Sequence, residues 1–144
     1  MKKIIYSLIA VVILIAVILF FANYFLKTKN DLKILTNSGE MEVKNFYSLP
    51  SSKILSKNND TTLADNAYYN IYYNPQDSYF IILLYDKNLK TSREKAEADL
   101  LKLLNIKKED ACKLNLRVGV PFSVNKNYAG INLGLSFCDG SIEL

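Results

Sequence analysis

The chain has 144 residues, 18 basic and 14 acidic, for a formal net charge of +4. Four of the lysines (Lys2, Lys3, Lys27 and Lys29) flank one apolar run near the N-terminus, so from Asn30 onward the remaining 14 basic and 14 acidic residues cancel. A neutral domain lacks the basic footprint of a nucleic-acid binder, and a chain without His or Trp lacks two side chains common in catalytic and ligand sites.

The first predicted element is Ile4–Leu26, IIYSLIAVVILIAVILFFANYFL, which carries no charge. At 1.5 Å per residue it extends about 34 Å, against roughly 30 Å of bilayer hydrocarbon. Tyr6 and Tyr24 fall near its ends, where amphipathic rings favour the membrane interface. The run exceeds a signal-peptide core, and no small-residue cleavage site follows it. It reads as a transmembrane helix, an uncleaved signal anchor touching membrane lipid over residues 4–26, with residues 1–3 as a short cytoplasmic tail. Flanking lysines nearly balance, so charge alone does not orient it. The signal-like start and two cysteines suited to an oxidising exterior favour an extracytoplasmic C-terminal domain.

Residues 27–66 read as a stalk and linker. Leu32–Thr36 and Met41–Tyr47 flank a turn-like Asn-Ser-Gly-Glu and are expected to pair as a hairpin, and Ser48–Asn66 is polar and irregular. Residues 67–140 are expected to be a small extracytoplasmic α+β domain. Its first part is a hairpin over 68–85: Tyr68–Tyr73 is rich in β-formers, Asn74–Asp77 is a turn, and Ser78–Tyr85 is apolar on both faces, which predicts a central, doubly covered strand. The period then changes. Thr91 and Glu94 fit a capping box, and Ala96, Leu100, Leu103 and Leu104 recur at helical spacing, predicting one main helix over 92–104 with Asn105 as a left-handed stop. Glu94, Glu97 and Asp99 read as its solvated face. A short helix is expected over 107–112, an alternating strand over 114–120, and a short strand over 135–138. This order suits a small sheet packed on one main helix.

Cys112 and Cys138 are the only cysteines. A bridge would close a long loop and stabilise the domain by roughly 3–4 kcal/mol on the chain-entropy model. The alternative is two unpaired, buried thiols in a cytoplasmic domain. Tyr68 and Tyr72 are the candidate binding surface, since strand parity separates them from Tyr69, Ile71 and Tyr73 and outward tyrosines anchor protein or glycan partners. The competing reading is β-propensity and packing alone. No catalytic, cofactor or metal residues are assigned. Arg117 reads as a surface or ion-pair residue rather than an anion clamp.

Between Ser92 and Cys138, the stretches SREKAEADLLKLLNI, EDACKLNLRVGVP, NYAG and LSFC resemble a group of small, uncharacterised bacterial membrane-anchored proteins. The resemblance implies no activity, cofactor or ligand. It implies that Cys112 and Cys138 belong together. The expected function is a non-enzymatic membrane-tethered domain for binding or assembly at the cell envelope. The alternatives are a subunit of a larger membrane or surface complex, and an envelope enzyme working without His.

Overall fold

The computed structural model describes residues 12–22 and 31–144. Residues 12–22 are helical (α1), and every large apolar side chain there, from Val12 to Phe21, is exposed. The rest of the expected transmembrane segment lies outside the described residues, and among those described no helix is long and apolar enough to cross a membrane. The chain divides into two compact units at Asp31/Leu32.

The second unit opens on the anticipated hairpin, β1 (Asp31–Thr36) and β2 (Gly39–Lys44). Gly39, at φ +116°, takes a turn conformation that side chains resist. Ile34 and Val43 are its buried residues, and the Asn37 backbone N–H donates to the Lys113 carbonyl at 3.0 Å. A 3-10 turn over Phe46–Ser48 follows, with the Asn45 side chain accepting from the Tyr47 N–H.

The stretch read as an irregular linker is only partly irregular. It supplies β3 (Lys53–Ile54) and β4 (Thr61–Asp65), and Thr61, Thr62 and Leu63 are buried. Thr and Leu are sound strand formers, but five residues among Ser, Asn and Asp carry too short an alternation to read. A register shift between Thr62 and Ala64 disturbs that alternation further.

Strands β5 (Tyr69–Asn74) and β6 (Tyr79–Leu84) form the expected hairpin. In its turn the Asn74 side chain accepts from the Gln76 and Asp77 N–H groups. The main helix α2 spans Leu89–Leu104, one turn longer than predicted. Its cap is Asn88, whose side chain accepts from the Thr91 N–H, so Thr91 lies inside the helix and the Thr91–Glu94 capping box does not form. Buried Leu89 explains the extra turn: it adds one more apolar contact to the helix start. Asn105 ends the helix at φ 54°, ψ 48°, the left-handed stop anticipated. After α3 (Lys108–Ala111), β7 (Asn115–Gly119) pairs parallel with β6, and α2 lies in the crossover.

The five strands follow the order β3-β4-β5-β6-β7. The domain is α+β, as expected. The short strand expected over 135–138 is absent. Those residues turn, because the Ser136 N–H and hydroxyl both donate to the Glu97 carboxylate instead of to a ladder. Buried Leu133 and Leu135 are packing residues of this turn-rich strap.

Candidate functional site

Strand pairing gives the sheet two unlike faces. On the inner face Tyr73, Phe80 and Phe46 make a close aromatic cluster, with centroids 4.6 and 4.9 Å apart for Tyr73–Phe80 and Phe46–Tyr73. Ile71, Ile82, Leu84 and Val118 are fully buried on the same side. Tyr69 is buried there as well, and its hydroxyl donates to the Asp99 carboxylate of α2. Burial, first, and that hydrogen bond, second, push the Tyr69 phenol up to about 12. Asp99 is therefore engaged in packing the helix on the sheet and is no bystander on a solvated face.

On the outer face one row runs Thr62–Tyr72–Ile81–Arg117 across four strands. The next aligns Asn70, Leu83 and Gly119. Tyr72, Ile81, Leu83 and Arg117 are all half-buried, so the doubly covered strand expected at 78–85 is central in the sheet but fully covered on one face only. Beside β6 and β7 the face sinks into a trough of about 390 Å³, floored by Ile81, Leu83 and Gly119 and walled by Val120, Pro121 and Gly130. Arg117 reaches its rim and donates to the Gly130 carbonyl at 2.6 Å. Phe122, next to the wall, is 74% exposed.

The two tyrosines expected to form one surface have different surroundings. Tyr72 stands in the outer row, its phenol pushed up by burial and by the Asp60 carboxylate. Tyr68 precedes β5, is 46% exposed, and has the Lys95 ammonium 4.6 Å above its ring, a contact with α2. Parity holds for Tyr72 because it lies within the ladder. Tyr68 lies just before the strand, in a bend where the Asn66 side chain accepts its N–H while its carbonyl accepts from the Tyr85 N–H.

Two further constellations emerge from the fold. Glu97, read from the sequence as solvated, is 4% exposed and Arg93 is 3% exposed. They pair at 3.0 Å one helical turn apart. Arg93 also donates to the carbonyls of Ile142 (2.6 Å) and Leu133 (3.1 Å), while Glu97 takes both Ser136 donors. Both charged groups of this pair are bonded to the 133–142 strap, which they hold against α2. The i, i+4 spacing was visible in the sequence, but such spacing marks mostly surface pairs, and the covering strap comes from about 40 residues later.

Cys112 and Cys138 stand at disulfide distance, with Cα atoms 5.6 Å apart. Cys112 is exposed and Cys138 half-buried. Lys108, from the start of α3, lies 5.1 Å from the Phe137 ring centre beside the pair. Among the described residues no group of three His, Cys, Asp or Glu side chains is placed to hold a metal ion. The chain matches no protein-family model, no curated protein and no solved structure.

Proposed function

We propose that the chain is a single-pass membrane protein of the bacterial envelope, its N-terminus cytoplasmic and its small domain extracytoplasmic, acting in binding or assembly without catalysis. The observation that carries this reading is the cysteine pair at disulfide distance, with one member exposed. A bonded pair persists outside the cytoplasm and is reduced within it. The uncharged run Ile4–Leu26 supports tethering, as does the outward display of apolar side chains all around residues 12–22. The non-catalytic reading is supported by the Arg93–Glu97 and Tyr69–Asp99 contacts, which commit these polar groups to packing.

Thiol labelling of intact cells with a membrane-impermeant maleimide tests the placement. Labelling of Cys112 and Cys138 is expected only after reduction. Labelling without reductant by a reagent confined to the cytoplasm would overturn both the topology and the bond.

A further inference from the structure

We infer that the outer trough beside β6 and β7 is a docking site for an apolar peptide segment of another protein that carries a carboxylate opposite Arg117. This deepens the binding reading above and rests on it.

Three observations converge. Gly119 sits in the strand where side chains are favoured, and Gly there costs stability. Neither its backbone nor its neighbours demand it: its φ is not left-handed, and an added Cβ would meet the Leu83 Cδ2 at 3.5 Å and the Arg117 Nε at 3.9 Å, ordinary contacts. Gly119 is itself buried, and its missing side chain leaves the Leu83 and Arg117 side chains as the surface over that part of the floor. Close approach of a ligand or another backbone is one recurrent setting of a strand glycine, beside bulges and tight bends.

Arg117 is the second. It is half-buried at the rim of an aliphatic trough and makes no ion pair among the described residues. The Gly130 carbonyl accepts from Nη2 only, so donors of the guanidinium fork are left for an incoming carboxylate. The third is the surroundings of the lining. Tyr72 lies beside the floor residue Ile81 in the outer row, and the strongly exposed Phe122 follows the wall residue Pro121 in sequence; with the arginine these are residue types enriched where proteins bind proteins. A small polar metabolite fits poorly, because such sites bring several convergent polar groups to a cavity, and this trough offers one charged side chain.

The full-length protein in lipid nanodiscs, used to select from a displayed library of random octapeptides, tests the inference. Expected is enrichment, over empty nanodiscs, of apolar peptides containing Asp or Glu. Gly119→Leu, which fills the floor, should weaken the best peptide by at least roughly tenfold, the scale of a blocked anchor site. Arg117→Gln keeps a donor for Gly130 and should erase the preference for Glu over Gln within that peptide, again roughly tenfold. Ile81→Ser supplies a second floor variant should Gly119→Leu prove unstable. No enrichment, enrichment unaffected by both floor variants, or selected peptides without a carboxylate would overturn the proposal. So would a wild-type dimer that Gly119→Leu dissociates, which would assign the trough to a second copy of the chain. Selection in nanodiscs is indifferent to topology in the cell, and thiol labelling is indifferent to the trough, so the two readings fail separately.

Discussion

The same strands present two faces with opposite fates. Tyr69, Ile71 and Tyr73 alternate with Asn70, Tyr72 and Asn74, and the first set is buried while the second is half-buried. In β6 the composition is nearly the same on both sides, with Ile81 and Leu83 outside and Phe80, Ile82 and Leu84 inside. In β6, hydrophobicity therefore does not decide which face is core. The decision rests with the elements laid on top: α2, Phe46 and the 133–142 strap cover one side, while the other is left to a partial wall at Pro121 and Gly130.

The largest test of that contrast is Glu97→Ala. It leaves the buried Arg93 guanidinium uncompensated and frees the strap, and should cost about 3–5 kcal/mol in urea unfolding. A loss below about 1 kcal/mol would mean that the strap does not form part of the cover. Next, two adjacent isoleucines can be compared directly. Ile82→Ala should destabilise by about 2–5 kcal/mol, and Ile81→Ala by well under half as much because its side chain already meets solvent. Equal costs would break the distinction between the faces.

Replacing both cysteines by Ser should cost about 3 kcal/mol through the freed loop, read as a lower unfolding midpoint in non-reducing buffer only. A smaller effect is expected at Tyr69. Its folded-state phenol holds its proton to about pH 12 whereas an unfolded one releases it near 10. The unfolded state thus binds fewer protons between those values, and stability falls as pH rises through that window. Tyr69→Phe should lose about 1 kcal/mol at neutral pH and show a shallower decline above about pH 10. The smallest effect belongs to Gly119→Ala, expected within about 0.5 kcal/mol of wild type. A large loss there would show that the glycine serves packing and leave the trough unexplained.

The parts of the fold that were legible in the sequence rest on local periodicity. The hairpin over 68–85, the helix body with its Asn105 stop, and the 114–120 strand each announce themselves within a short stretch of chain. The parts that were not legible depend on partners far along the chain. β4 hides among Ser, Asn and Asp because its five residues acquire meaning only beside β5. Residues 135–138 read as a short strand, yet Glu97 claims the Ser136 donors. For the same reason Glu97 reads as solvated until the strap is folded over it. Tyr72 was placed correctly by parity, while its companions on the outer face, Arg117 and Gly119, depend on a parallel pairing that spacing does not disclose.

The sheet's two rims bear on how such a molecule behaves when crowded. At one, β3 offers only Lys53 and Ile54. At the other, the Val118 N–H donates to the Asn132 side chain, the Leu133 N–H donates to the Val118 carbonyl, and Val120 bridges Ala129, so the C-terminal part of β7 is covered along its outer edge. An open rim would let the sheets of neighbouring molecules polymerise strand by strand. With one rim cut short and the other covered along part of its length, growth of that kind has little edge to start from.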